Sequence, residues 1–304
     1  MHNNLAPVIL FIYNRPEHTR RTLEALSRNI FADSTVLYVF ADGPKENAAA
    51  ADLDLINQAR KVVREKQWCK EVHLIAREKN MNLEENVIDG ITTVINRHGK
   101  TIILEDDLVT SPYFLQYCNE GLSLYESAKQ IFSINACTFP VDFGTAPETF
   151  LCPIATHSSG WATWADRWTL FESNPAYVND IDTDPFLTSR FNVGAQDKMM
   201  LLKQMNTWDI RWYYTAFIRN GLGVFPTKSL ILNIGFDGSG THKGGEELVH
   251  ELYNEPIPVI YQDRINLRHY SKMLNCVKPY KVSTWQNIKD HVKRILHLSK
   301  FRKA

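Results

Sequence analysis

The 304-residue sequence is poor in several features that would have fixed its class at once. Its five cysteines, Cys69, Cys118, Cys137, Cys152 and Cys276, form no C-x-x-C pair and no metal-ligand spacing. An odd, scattered set excludes a disulfide framework and fits free thiols in a reducing compartment. No stretch approaches the ~18 apolar residues that a membrane-spanning helix needs. The apolar run Val8–Tyr13 is too short for a signal-peptide core and passes into Asn14-Arg15 without a small-residue cleavage site. No Asn-x-Ser/Thr sequon occurs, and the expectation is a cytoplasmic protein. Neither GxGxxG nor GxxxxGK[ST] is present, and the glycine-rich stretch Gly235–Gly245 fits neither template. A dinucleotide-binding loop and a P-loop therefore lack support. Net charge is also missing, since 34 Lys/Arg balance 34 Asp/Glu. A general nucleic-acid binder would be clearly basic, so nucleic acid is not expected as a partner.

What is present is globular: 44% hydrophobic and 22% charged residues exclude a disordered or fibrous chain. The first half alternates two periods. Val8–Tyr13, Val36–Phe40, Val72–Ala76 and Thr101–Leu104 read as short buried strands. Between them come helical faces. Pro16 opens one that carries Thr22, Leu23 and Leu26. Leu55, Ile56, Ala59, Val62 and Val63 line the next. Val87, Ile91, Val94 and Ile95 line a third, preceded by an Asn82/Glu85 variant of a capping box. Such alternation predicts an α/β fold, a mostly parallel sheet with helices on both faces. The second half is less regular. Pro112–Ser127 reads as helix, Ile131–Ala136 as strand, 138–160 as loop, Asp197–Asn220 as helical and Leu230–Ile234 as strand.

Ligands of open parallel sheets bind beyond the carboxyl ends of the strands. There the strand Thr101–Leu104 runs directly into Glu105-Asp106-Asp107. Three adjacent carboxylates repel one another and are tolerated in water or around a hard cation. Two readings follow: a metal and diphosphate site, or an acidic cap for the helix near Pro112.

The ordered motifs resemble the GT-A fold of nucleotide-sugar glycosyltransferases, in the family-2-like group of bacterial polysaccharide enzymes. They are Pro7–Pro16, Ala41-Asp42-Gly43, Leu104–Leu108, Ser159–Trp164 with Trp168, Trp208–Trp212, and Asn233–Phe236 followed by Gly240-Thr-His242. Their order is also similar to that in N-acetylglucosaminyltransferase I. The resemblance implies a catalytic domain over 1–250 and a C-terminal extension over 251–304. It implies donor-nucleotide contacts from Arg15, Asp42, Glu105 and Asp106, and a metal, Mn²⁺ or Mg²⁺, on Asp107. Asn80 either contacts the donor or serves cap and turn chemistry, and His242 either contacts phosphate, completes the metal shell or is a loop histidine without such a role. An acid after the second strand would accept the N3–H of uracil or thymine, a donor that cytosine lacks, which favours a UDP-sugar. Asp209 would be the catalytic base of an inverting transfer to a glycan or lipid-linked oligosaccharide hydroxyl. Asp209 could instead cap its helix or pair with Arg211. Trp161 and Trp164, with Trp208, would face the acceptor sugar, or form core as aromatic stripes commonly do. A sugar-phosphate nucleotidyltransferase and a non-catalytic carbohydrate-binding protein remain alternatives. Against the first, the place after strand one reads Asn14-Arg-Pro-Glu-His instead of a glycine-rich loop.

The zero net charge conceals an asymmetry. Residues 281–304 hold seven Lys/Arg and one acid, which leaves 27 Lys/Arg against 33 Asp/Glu before them. Trp285, Ile288, Val292, Ile295 and Leu296 share one helical stripe there. A basic amphipathic helix of this kind either docks on its own domain or binds an anionic membrane surface.

Overall fold

The computed structural model describes residues 5–204, 207–238 and 251–277. His242 and the basic stripe of 281–304 lie outside the described residues.

The expected alternation is present. β1 (Val8–Ile12), α1 (Pro16–Ser27), β2 (Val36–Ala41), α2 (Ala50–Arg64), β3 (Glu71–Ala76), α3 (Asn82–His98) and β4 (Lys100–Glu105) follow in order. Then come β5 (Leu108–Thr110), α4 (Phe114–Leu124), β6 (Ile131–Asn135), β7 (Thr149–Cys152), β8 (Trp161–Trp164) and α5 (Ala165–Trp168). The chain continues through α6 (Val178–Thr183), α7 (Pro185–Phe191), α8 (Lys198–Gln204), α9 (Trp208–Phe217), β9 (Leu222–Pro226), β10 (Ile231–Asn233) and α10 (Leu267–Cys276).

Eight strands form one sheet in the order β3-β2-β1-β4-β8-β6-β9-β7. β1 to β4 are parallel, β8 runs against β4 and β6, and β7 runs against β9. Six of the eight strands thus share a direction, and the sheet is mostly parallel. Strand side chains alternate between faces. Val8, Leu10, Val39, Ile102 and Leu104 join one core with Leu23 and Leu26 of α1, Val62 and Val63 of α2 and Leu122 of α4. Ile9, Phe11, Phe40 and Ile103 join the other with Val87, Ile91 and Val94 of α3 and Trp208 and Trp212 of α9. Helices therefore cover both faces, as the alternation predicts.

Four local expectations need correction. Asn82 and Glu85 form no capping box: α3 begins at Asn82 itself, after Met81, and no side chain caps it. The segment 138–160 contains a buried strand, β7, because Thr149–Cys152 pairs with β9 at the sheet edge. The single helical region over Asp197–Asn220 is two helices, α8 and α9. The tryptophans at 161, 164 and 168 have the spacing of a helical stripe in sequence, but the first two lie on a strand, β8. A spacing of three on a strand sends two side chains to opposite faces, and Trp161 and Trp164 enter different cores.

The C-terminal extension packs on the body as far as it is described. Ile265 bridges Leu151, Ile257 enters one core, and Met273 of α10 enters a third with Phe150, Phe191 and Phe225.

Candidate active site

The ends of β1, β2 and β4 point the same way, so the loops after them meet. Arg15 follows β1 and caps the start of α1, with Pro16 at the first helical position. Its guanidinium contacts Asp106 Oδ1 and lies 2.9 Å from Asp107 Oδ2. Burial alone would lower the pKa of Arg15, but the two carboxylates outweigh it and hold the group firmly cationic.

The acidic triplet divides by strand geometry. Glu105, paired in register with Phe11, lies on the α3/α9 face. Asp106 turns to the α1 side and is buried, and its carbonyl accepts a bond from the Thr22 hydroxyl at 2.8 Å. Asp107 leaves the strand. Burial raises the pKa of Glu105 to about 8, helped by Asp107, Asp106 and Asp209 and opposed by Arg15. Burial likewise raises Asp106 to about 6, against the pull of Arg15. One arginine does not balance this many acids, and the site has surplus negative charge.

Beyond the triplet, β5 pairs with β10, so Asn233 stands opposite Leu108. The Ile234 amide then donates to the Asp107 carbonyl at 2.8 Å. Gly235 comes so close to the Asp107 carboxylate that a Cβ there would overlap it. Its amide is turned by Asn233 Oδ1 at 2.8 Å. The Asn233–Phe236 motif is thus a backbone wall against Asp107. His18 reaches the same wall: its Nε2 lies 3.3 Å from the Ile234 carbonyl and 3.2 Å from Asp237.

Asp42, after β2, is buried and held in place. Its Oδ1 accepts from the amides of Gly43 and Met81, both at 2.8 Å, and its Oδ2 accepts from Asn80 Nδ2 at 2.9 Å. Asn80 also donates to the Gly43 carbonyl. Behind them, Arg60 Nη2 joins the carbonyls of Asp42 and Arg77 at 3.1 and 2.6 Å. Asn80 therefore acts through Asp42. An ionised carboxylate has about four lone-pair directions, so Asp42 keeps acceptor capacity for a ligand.

Asp209 sits in the first turn of α9, and its Oδ1 takes the hydroxyl of Thr207. It acts electrostatically on Glu105, which puts it at the same end of the sheet as the triplet. It does not pair with Arg211. That side chain contacts Glu84 of α3 and donates to the Ser173 carbonyl at 2.8 Å, tying α9 to its neighbours. Trp208 is buried and stacks on Trp161 at 6.0 Å between ring centres.

Of the two readings for Trp161 and Trp164, the structure gives core. Trp161 is fully buried among Trp168, Trp208 and Trp212. Trp164 is buried on the other face, donates to the Leu122 carbonyl and lies beneath the Arg167 guanidinium at 4.3 Å. Neither offers a free face to a sugar ring, nor does the buried Trp208, which corrects the acceptor-contact expectation for all three. Among the described residues, no three His, Cys, Asp or Glu side chains form a metal-binding group.

No family model matches the chain, and no curated protein matches it. Among solved structures it is similar to the galactosyltransferase LgtC in complex with donor and acceptor sugar analogues. Identity is 9%, over 91% of this chain and 87% of that one, with a TM-score of 0.39. It is similar to S. aureus TarS at 11% identity, over 43% of this chain and 21% of that one, with a TM-score of 0.29. The chain thus spans about a fifth of TarS. It is also similar to an apo UDP-glucose pyrophosphorylase at 8% identity, over 73% and 90% of the two chains, with a TM-score of 0.34.

Three site residues have no role in the sequence reading. His18 stands in the Asn14–His18 segment, but its contact with Ile234 spans most of the chain. Arg60 lies on the polar side of an amphipathic helix, where one arginine looks like any other. Lys198 opens α8 and acts electrostatically with Asp209. A lone lysine gives no sequence signal.

Proposed function

We propose that the protein is an inverting glycosyltransferase of the hexosyltransferase class. It moves a hexose or N-acetylhexosamine from a UDP-sugar to a glycan hydroxyl in the synthesis of a surface polysaccharide. The observation that carries this reading is the meeting of Asp42, Glu105-Asp106-Asp107 and Asp209 at one end of the sheet, from three separate parts of the chain.

Each residue has a task that its surroundings suit. Asp42, fixed by two amides and Asn80, accepts the N3–H of uracil through its remaining acceptor capacity. Asp107 offers a hard oxygen to Mn²⁺ or Mg²⁺. A single carboxylate would suffice for a hard cation of this kind, and the surplus acid around Glu105 favours a positive guest. When bound, such a cation neutralises charge on the departing diphosphate. Arg15 holds Asp106 and Asp107 in place. Asp209 takes the proton of the acceptor hydroxyl as that oxygen bonds to C1 of the sugar. The bond from C1 to the diphosphate oxygen breaks on the opposite face, so the configuration inverts. Trp208 gives the segment around Asp209 a rigid, apolar backing. His242 would be a further ligand for the cation, and residues 281–304, basic and amphipathic in sequence, would bring the enzyme to a lipid-linked acceptor at an anionic membrane surface.

A thermal-shift series with UDP, dTDP, CDP and GDP, with and without Mn²⁺, tests the reading. A ligand of the native state raises its melting temperature by mass action. UDP with Mn²⁺ is expected to give the largest shift and CDP little. Silence with every nucleotide would favour a non-catalytic carbohydrate binder. Release of pyrophosphate from UTP and a sugar phosphate would favour a nucleotidyltransferase.

A further inference from the structure

Asp209 and Tyr213 stand one turn apart on α9 and share a face. Lys198, the first residue of α8, holds its ammonium 5.2 Å from the centre of the Tyr213 ring. The lysine therefore lies over the same face of α9 as the acid assigned as base, about one turn along. Its backbone is anchored. The Met199 amide donates to Asn192 Oδ1 at 3.1 Å, the Met200 amide donates to Asp197 Oδ1 at 2.8 Å, and Met199 and Leu202 are buried in the third core.

Lys198 is half-buried, yet no carboxylate lies within ion-pair distance of it among the described residues. Lys129 and Lys203, by contrast, pair with Asp166 and Asp182 at 2.6 and 2.7 Å. Burial lowers the pKa of Lys198, and Asp209 partly offsets this from a longer distance. A partly desolvated ammonium without a close counter-ion is costly, and a ligand anion would relieve that cost. The chemistry says which ligand. The acceptor hydroxyl lies against the base, whereas the donor diphosphate leaves from the opposite face of C1. A negative group that reaches Lys198 therefore belongs to the acceptor.

We propose that Lys198 is a specificity residue that pairs with a negative group of the acceptor, close to the hydroxyl that Asp209 deprotonates. The group is a carboxylate of an acidic sugar or a phosphate. This rests on Asp209 being the base. A neutral glycan would leave the lysine without a partner and bind more weakly.

The test measures binding of three probes to the full chain with UDP and Mn²⁺ present: methyl β-D-glucoside, methyl β-D-glucuronide and methyl β-D-glucoside 6-phosphate. Ligand-observed NMR gives the affinities. A charge-assisted contact predicts that one charged probe binds wild type about tenfold more tightly than the neutral one. Lys198→Met removes the difference and Lys198→Arg keeps most of it. UDP affinity stays unchanged in both variants and each melts in a single cooperative transition, which shows that they fold. Preference for the glucuronide marks an acidic-sugar acceptor, and preference for the phosphate marks a phosphorylated one. Equal binding of charged and neutral probes, absence of binding by both charged probes, or an undiminished preference in Lys198→Met overturns the proposal. Failure of UDP itself to bind wild type overturns instead the transferase reading on which it stands.

Discussion

Two walls of the site are held in different ways. The wall at the ends of β1, β2 and β4 is joined by charged hydrogen bonds: Arg15 to Asp106 and Asp107, and Asn80 and two amides to Asp42. The wall formed by α8 and α9 is held by rings: Trp208 on Trp161, Trp212 against Trp168 and Phe132, and Lys198 over Tyr213. Directional bonds fix atoms to tenths of an ångström and fail when one partner is lost. Ring packing fixes a helix as a body and leaves its polar side chains room to adapt to different ligands. On the proposed function, the first wall would receive the nucleotide and the second the acceptor.

Substitutions separate the walls, and the largest effect belongs to the first. Gly235→Ala introduces a Cβ onto the Asp107 carboxylate. Overlap of this kind costs about 1–3 kcal/mol, and UDP affinity in Mn²⁺ falls roughly 10- to 100-fold by calorimetry. Unchanged affinity would mean that the Asn233–Phe236 wall does not support the nucleotide side. Asn80→Ala removes the bonds to Asp42 and to the Gly43 carbonyl. It costs about 1–2 kcal/mol and weakens UDP up to roughly thirtyfold, while the response to the acceptor probes stays as in wild type.

The smallest effect is on stability. The pKa of Glu105 is raised to about 8 in the folded chain. Between the ordinary carboxylate range and pH 8, the native state therefore holds a proton that the unfolded state has lost. Stability of the metal-free protein then rises as pH falls from 8 towards 5. Asp106, raised to about 6, adds the same trend at the lower end. Glu105→Gln is expected to raise the melting temperature at pH 8 by a few degrees and to flatten the profile above pH 6. A metal-free melting temperature that increases from pH 6 to pH 8 would contradict this charge balance.

The two walls also differ in how far they could be read from sequence. The sheet as far as β4 was legible because its periods are local: Leu23, Val62 and Val87 repeat at helical spacing, and the strands between them are continuous apolar runs. Asp42 and the triplet were legible because each directly follows such a run. Their partners were not. The bonds from Arg15 to Asp106 and from Asn80 to Asp42 join residues far apart in sequence, and only the strand order brings them together. The sequence left two readings open at the tryptophans, core or acceptor face, and packing against the sheet decides for core. Trp161 and Trp164 have helical spacing but lie on β8, where pairing with β4 and β6 overrides the local pattern.

Calorimetric titration of UDP into Asp107→Ala and Asp209→Asn with Mn²⁺, alongside turnover of the same samples, tests the division of labour most directly. Asp107→Ala should lose Mn²⁺-dependent binding and turnover together. Asp209→Asn should bind UDP within about twofold of wild type and show no transfer. Transfer retained by Asp209→Asn, or undiminished Mn²⁺-dependent binding by Asp107→Ala, would contradict it.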